Sequence, residues 1–543
     1  MSYTLPLQQF ELMVKKIPNT NYLHQPVNRE LQISTWSEVD RMARSVANSL
    51  LKMGLKPGDR VGILSKNCAQ WFITDIAVIM AGMISIPIYP TANKETISYI
   101  VEDSECKVIF VGPMDDLTEA EAGLPKDLPR IAFPYNTVKA DLNWASFIAE
   151  EPLETYSYPD AEDIMTIAYT SGSSGKPKGV VLTFANFAAS ATEAANTADL
   201  GHDDSMLSYL PLAHITERGV VQWPSIYSGS KIYFVEKLET FIEDLKVAQP
   251  ALFISVPRLW KKFQGQILLK VPDEKLQKLL KIPFIGSLVA KKIRKGLGLN
   301  KTKVFGSGSA PISPDVLRWY ERLGMPISEG WGMSETTGLS CSNIPFVSSA
   351  VGTIGHPLPC VEMKLGDGNE ILIRGQAVFK EYYKMQDVTN ESFSDGWFHT
   401  GDVGALTSDG EFKIIGRIKE QFKTSKGKFV VPVPIESMLG KNVYIEQMCV
   451  VGIGRKQPIA LVILNDQSKN LTPEIQKSLE NTLKEVNDNL ESHQRLDHIV
   501  VLKDAWTPND YLTPTLKLKR PEIEAAFKEY IDGDFDDLII WQN

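Results

Sequence analysis

At 543 residues, 43% hydrophobic and 23% charged, the chain is too long for one ordinary core and has the composition of a soluble globular protein of two or more domains. Its 57 lysines and arginines stand against 66 aspartates and glutamates, a formal charge of −9, which argues against a dedicated nucleic-acid binder while leaving room for a local basic patch. Cys68, Cys106, Cys341, Cys360 and Cys449 are scattered without a CxxC, and the seven histidines form no HExxH. A disulfide scaffold, a structural zinc site and a transition-metal centre are therefore disfavoured, and a reducing compartment fits better.

The opening MSYTLPLQQFELMVKK has no basic region followed by an apolar run and is not read as a signal peptide. Val39, Met42, Ala43, Val46, Ala47 and Leu50 recur at helical spacing, with Gly54 as the stop. The most apolar run, WFITDIAVIMAGMISIPIYP (71–90), holds Asp75 and Pro87 and is split by Gly82, so it reads as a buried helix and then a strand, not as a membrane span. RVGIL (60–64), MISIPI (83–88), KVIFV (107–111), IMTIAY (164–169), KIYFV (231–235) and LFISV (252–256) are short buried strands, several with helical segments between them. This is the pattern of an α/β protein on largely parallel sheets.

YTSGSSGKPKGV (169–180) has the residues of a phosphate-binding loop. It is not the GxxxxGK[ST] loop: Gly172 and Gly175 are separated by two residues, and Lys176 is followed by Pro177, which offers a metal no hydroxyl. Thr170, Ser171, Ser173 and Ser174 supply hydroxyls, Gly172 and Gly175 allow an anion-binding nest, and Lys178 adds a cation. TFANF is expected to open a helix with Thr183 as N-cap, placing the loop between a buried strand and a helix. A flexible Ser/Gly linker is the plainer alternative.

Residues 274–299, EKLQKLLKIPFIGSLVAKKIRKGLGL, interleave Lys275, Lys278, Lys281, Lys291, Lys292, Arg294 and Lys295 with an apolar centre. Two readings stand: a surface that docks on anionic lipid, or a solvated helix pair. After GRIKEQFKTSKGK (416–428) the texture changes. MCVVGIG and IALVIL read as strands and LTPEIQKSLENTLKEVNDNLES as one amphipathic helix, so a boundary is expected near 416–419, with a small α+β domain following.

Beside the loop, six stretches follow in order: SYLPLAHITER (208–218), GSGSAPIS (306–313), EGWGMSETTG (329–338), GWFHTGDVG (396–404), GRIKEQFKTSKGK (416–428) and LTPTLKLKR (512–520). Together with YTSGSSGKPKGV they resemble the motifs of the adenylate-forming enzymes, and LPLAHITER and LTPTLKLKR resemble the long-chain acyl-CoA synthetase branch. The sequence departs from the usual texts at Ser173 and Ser174 (threonines), Ser309 (a glycine), Trp331 (the aromatic of YGxTE) and Ser334 (a threonine), and the C-terminal lysine motif lacks its usual glycine.

The resemblance implies ATP-dependent activation of a long-chain fatty acid to acyl-AMP with release of pyrophosphate, then transfer to coenzyme A. It implies ATP, Mg²⁺ and coenzyme A as co-substrates and cofactor. Thr170, Ser171, Gly172, Ser173, Ser174 and Lys178 would hold the β- and γ-phosphates, with Glu335 and Thr170 on Mg²⁺, whose preference is for hard oxygen ligands. Gly308, Ser309, Ala310, Glu329, Gly330, Trp331, Gly332, Met333 and Ser334 would line the adenine pocket, Trp331 by stacking. Asp402 would accept from the ribose hydroxyls, with Arg417 beside it. Lys517 would reach the carboxylate and α-phosphate, with Lys519 as the alternative, and His214 would position the carboxylate. Lys419 would be the hinge, and Lys423 and Gly427 would serve the coenzyme A side.

Taken singly, these residues also have ordinary readings. His214 could be a core histidine, Trp331 a core aromatic, Glu335 a helix-starting glutamate, Asp402 a turn residue, Arg417 half of a surface ion pair, and the two lysines part of a solvated strand. Trp223 and Tyr227 are the expected walls of an acyl tunnel. The fold implied is an α/β N-terminal domain of subdomains with a distorted β-barrel (1–416) and a small mobile α+β C-terminal domain (417–543). A second copy of the chain and a membrane surface touched through 274–299 complete the expected partners, in the cytoplasm. Two other functions share the motifs: an acyl-AMP ligase that loads a carrier protein, and a catalytically silent lipid-binding homologue.

Overall fold

The computed structural model describes residues 3–170, 176–465, 472–508, 510–513, 517–533 and 535–542. The expected buried strands assemble into two large sheets. One has eight strands in the order Glu381–Tyr382, Lys178–Thr183, Ile164–Thr170, Ile84–Ile88, Arg60–Leu64, Val108–Val111, Arg130–Ala132, Leu142–Asn143. It is parallel from Ile164–Thr170 outward and antiparallel on the other side. The other has nine, of which Asn21–Val27, Lys231–Phe234, Ser205–Ser208, Leu252–Ser255, Val304–Ser307 and Ile327–Met333 run parallel.

KGVVLT is not a loop leading into a helix: Lys178–Thr183 is a strand, paired antiparallel with Ile164–Thr170 so that Thr170 faces Lys178. Val180, Val181 and Leu182 bury there as β-branched and aliphatic residues do in a central strand. The helix then begins as expected, Phe184–Thr197, with Thr183 accepting from the Asn186 N–H. The phosphate-loop candidate therefore connects two paired antiparallel strands.

Helix Ala69–Met80 is buried on every face, which is why WFITDIAVIM shows no polar stripe. It packs with Phe184–Thr197 and Trp223–Ser228 in a core shared by both large sheets. Within that core sits a fully buried ion pair. Arg218 donates to both oxygens of Asp75 at 3.0 and 2.9 Å, to Thr166 Oγ1 at 2.9 Å and to Ser85 Oγ at 3.3 Å. Gln222 Nε2 donates to Asp75 Oδ2 at 2.9 Å, and the guanidinium lies over the Phe187 ring at 5.1 Å. Arg218 thus fastens the connection between two strands of one sheet to two strands of the other.

A five-stranded antiparallel sheet follows, built from Val361–Leu365, Glu370–Gly375, Phe393–Ser394, Trp397–Leu406 and Phe412–Arg417. Beyond it, Ile445–Val451, Ile459–Leu464, Ile499–Leu502 and Ile539–Trp541 form a four-stranded sheet. Its core takes Leu479, Leu483 and Val486 from helix Pro473–Asp488. Two exposed ion pairs tie this C-terminal unit to the larger one: Arg258 Nε with Glu446 at 2.9 Å, and Lys441 with Asp315 at 3.0 Å.

Candidate active site

The carboxyl ends of the parallel strands in the nine-stranded sheet, where open α/β sheets bind ligands, carry the motif residues. Ile327–Met333 and Gly338–Ser342 approach so closely that a Cβ on Gly332 would stand 1.6 Å from the Gly338 carbonyl oxygen. Between them a short turn, Ser334–Thr336, presents Glu335. A Cβ on Gly219 would stand 2.6 Å from the Thr337 carbonyl, so the π-turn Arg218–Gln222 is pressed against the same corner.

Asp402 is buried and doubly held. Trp331 Nε1 donates to its Oδ2 at 2.9 Å, and Arg417 Nε donates to its Oδ1 at 2.8 Å. Asp402 and Arg417 face each other across paired antiparallel strands, so register sets the contact. The Asp402 charge is the largest reason that Arg417 is held even more firmly protonated than usual. Each carboxylate oxygen keeps a lone pair for a further donor.

Glu335 Oε1 accepts from the Tyr382 hydroxyl at 2.9 Å, and the Glu335 carbonyl accepts from Phe379 N–H at 2.7 Å. Lys178 Nζ stands over the Tyr382 ring at 4.9 Å, and Thr170 Oγ1 donates to the Lys178 carbonyl at 3.5 Å. Strand Glu381–Tyr382, on the edge beside Lys178–Thr183, thereby brings the hairpin and Glu335 together. Tyr382 was not singled out in the sequence, where EYYK carries no motif. Ser171, Gly172, Ser173 and Ser174 lie outside the described residues.

His214 N-caps the turn Ile215–Glu217, its Nδ1 accepting from Thr216 N–H at 3.0 Å. Its proton is then on Nε2. Burial, with the Lys517 charge adding to it, holds the imidazole down at about 4. At neutral pH His214 is therefore a neutral hydrogen-bond donor through Nε2 and a weak base.

Lys517 keeps solvent-exposed surface, yet the protein crowding it lowers its amine, with Arg417 adding to that and Asp402, Glu335 and Glu420 opposing it. Its ammonium therefore lies within electrostatic reach of Asp402, Glu335, Arg417 and His214. Lys519 Nζ instead donates to the Asp510 carbonyl at 3.2 Å.

The remaining candidates divide. Gly308, Ser309 and Ala310 follow strand Val304–Ser307, and Ser309 adopts φ 66°, the left-handed region that a glycine enters more easily. Glu329 is committed to a turn: its Oε2 accepts from Gly352 N–H at 2.9 Å, and burial raises the carboxyl to about 7. Met333 N–H donates to Thr336 Oγ1 at 3.0 Å, and Ser334 opens the Glu335 turn. Lys419 lies in the short turn Ile418–Glu420. Lys423 and Gly427 belong to an exposed hairpin, Lys423 Nζ over Phe429 at 4.8 Å and Gly427 at φ 72°. The backbone hydrogen bonds of that hairpin run to Gly454 and Arg455, so it is not part of the Asp402–Lys517 cluster. Trp223 is wholly buried against Phe187, while Tyr227 donates to Thr4 O at 2.6 Å and lines a cavity of about 290 Å³.

The loop bearing His214 is held from beneath. Asn67 Nδ2 donates to Ser208 Oγ (2.9 Å) and Leu210 O (2.7 Å), and Leu212 N–H donates to Asn67 Oδ1 at 3.1 Å. Glu217 Oε1 accepts from Tyr209 N–H at 3.1 Å, and burial raises the Glu217 carboxyl from 4.5 to about 8. A raised folded pKa favours the protonated fold, so this group's contribution is full below pH 4.5 and is lost as pH rises toward about 8. Glu217→Gln, which cannot ionise, is expected to gain stability relative to the parent across that window. Urea midpoints of both proteins at acid, neutral and alkaline pH check this; a pH-independent difference would refute the assignment.

A family model described as "AMP-binding enzyme" matches residues 12–383, and one described as "AMP-binding enzyme C-terminal domain" matches 419–538. The chain is 29% identical to "Long chain acyl-CoA synthetase 7, peroxisomal" of Arabidopsis thaliana, covering 92% of this chain and 81% of that protein. It is 28% identical to "Long-chain-fatty-acid--CoA ligase FadD15" of Mycobacterium bovis, covering 92% of each. Among solved structures it resembles the anthranilate CoA ligase AuaEII in complex with anthranoyl-AMP, with a TM-score of 0.81, 20% identity, and 97% and 98% of the two chains covered.

Proposed function

Because the chain belongs to the AMP-binding enzyme family, we propose that it is an AMP-forming long-chain fatty-acid–CoA ligase. The observation that carries the reading is the match along nine-tenths of the chain to relatives named for this activity. A fatty carboxylate attacks the α-phosphate of ATP, giving acyl-AMP and pyrophosphate. The coenzyme A thiol then attacks the acyl carbonyl and expels AMP. Mg²⁺, when bound, would neutralise phosphate charge; the Thr170 hydroxyl and the Glu335 carboxylate offer the oxygen donors it prefers.

In this reading the connection from Thr170 to Lys178, with Ser171, Gly172, Ser173 and Ser174, holds the leaving pyrophosphate. Trp331 and residues 308–310 and 329–334 form the adenine site. The free lone pairs of Asp402 accept the ribose hydroxyls, and Arg417 orients the carboxylate. His214 donates its Nε2–H to the fatty carboxylate and holds it in line. The Lys517 ammonium offsets the negative charge of carboxylate and α-phosphate as they approach. Residues 1–416 and 417–543 act as two domains hinged at Lys419. Rotation there would withdraw Lys517 and bring in Lys423 and Gly427 for thiol transfer. What supports the hinge is the present separation of Lys517, at the site, from the 423–428 hairpin.

The finer reading of partners and place adds a homodimer, a peripheral membrane contact through 274–299 and a cytoplasmic location. No helix among the described residues is long and apolar enough to cross a membrane. Sedimentation velocity tests the dimer: a monomer at all concentrations would remove it.

The activity is tested with ATP, Mg²⁺, coenzyme A and a ladder of fatty acids, reading pyrophosphate and thioester. Thioester rising with chain length is expected, since each buried CH₂ is worth about 0.8 kcal/mol. Acyl-AMP without thioester would mean a carrier-loading ligase; no pyrophosphate from any acid would mean a silent homologue.

A further inference from the structure

Residues 257–300 hold eleven lysines and arginines but only Asp273 and Glu274 as acids, in a chain whose total charge is −9. They fold as three helices, Pro257–Lys270, Asp273–Leu280 and Ile285–Leu297. Their inner faces are anchored: Trp260, Phe263, Leu276 and Leu297 are buried, Trp319 Nε1 donates to Asp273 at 2.8 Å, and Arg294 donates to Leu323 O at 2.6 Å. The outer face is apolar at its tip. Phe284 is 86% exposed, Leu288 66%, Leu269 64%, Ile285 45% and Ile282 44%. Phe284 takes φ 63°, an unfavourable conformation for a bulky residue, in the turn that presents it outward. Lys281, Lys291 and Lys292 are exposed alongside.

A solvated helix pair would hide these side chains or replace them with polar ones. An apolar protein partner would not call for such an excess of lysine. Apolar residues at a tip with cations around them match a bilayer interface, where phosphates meet the lysines and the hydrocarbon edge takes the rings and branched chains. We propose that the face formed by Leu269, Ile282, Phe284, Ile285 and Leu288 with the flanking lysines docks on anionic lipid bilayers. The proposal deepens the membrane contact named above and rests on that reading of a lipid substrate. The docking helices lead directly from strand Leu252–Ser255 to strand Val304–Ser307, whose carboxyl end carries Gly308 and Ser309.

The test is co-sedimentation of the full chain with vesicles of phosphatidylcholine, alone or mixed with phosphatidylglycerol. Binding is expected to the anionic vesicles and to weaken as salt is raised. Lys281→Glu/Lys291→Glu/Lys292→Glu is expected to lower it by at least about fivefold per site, and Phe284→Ser/Leu288→Ser by about tenfold or more. All five positions are exposed, so the fold is kept. Failure to bind anionic vesicles, binding unchanged in both variants, or self-association through the patch in the absence of lipid would each overturn the proposal. Thioester formation from a long-chain fatty acid supplied on albumin without vesicles reports separately on the enzymatic reading: its absence in the parent protein would count against the ligase, not the docking face.

Discussion

Lys517→Ala is expected to lower fatty-acid-dependent pyrophosphate release by about 10²-fold or more, while thioester formation from supplied acyl-AMP and coenzyme A changes little. Two anions must meet for adenylation, and Lys517 is a cation within electrostatic reach of Asp402, Glu335 and His214, the groups proposed to line that meeting point. Burial and the Arg417 charge lower its amine, and the Asp402, Glu335 and Glu420 charges oppose them. The split between half-reactions is the informative part. A variant that lost both equally would point to a structural role, and one that kept pyrophosphate release would remove Lys517 from the chemistry. Lys519→Ala serves as the comparison, since Lys519 is engaged with the Asp510 carbonyl, and it is expected to leave both steps nearly intact.

Arg218→Met is expected to destabilise the protein by about 3–5 kcal/mol, because it leaves the Asp75 charge buried without its cation. Asp75 and Arg218 are 0% and 1% exposed, so water cannot replace the lost partner. Asp75→Leu combined with Arg218→Met is expected to recover much of the loss, since a buried pair replaced by apolar groups of similar volume is often neutral. Chemical denaturation of the singles and the double measures this. A single variant within about 1 kcal/mol of the parent would show that the pair is not the fastening it is described to be.

The strands and the motif corner were legible because both depend on local pattern. WFITDIAVIM reads as a buried helix from its uninterrupted apolar run, and it is one. The Asp402–Arg417 pair could be suspected from neighbouring motifs, and the register of one hairpin brings them together. Four things were not legible. Strand Lys178–Thr183 does not stand out as text because its glycine, lysine and proline neighbours mask a short apolar core of Val180, Val181 and Leu182. Tyr382 reaches Glu335 only through an edge-strand pairing between distant segments, which no local pattern encodes. Asp75, Thr166 and Arg218 converge from separate elements, so the final arginine of LPLAHITER could be quoted without its partners being visible. Lys517 and Lys519 are two neighbouring lysines as text; in the fold Lys519 Nζ donates to the Asp510 carbonyl, while Lys517 feels the charges of Asp402 and Glu335.

The most direct test of the central claim is a two-stage quenched reaction read by mass spectrometry. The protein is incubated with ATP, Mg²⁺ and a long-chain fatty acid, sampled, then given coenzyme A and sampled again. Acyl-AMP in the first sample, converted to acyl-CoA and AMP in the second, is the expected result. Acyl-CoA formed with ADP and phosphate in place of AMP and pyrophosphate, or no acyl-AMP with any acid, would contradict it.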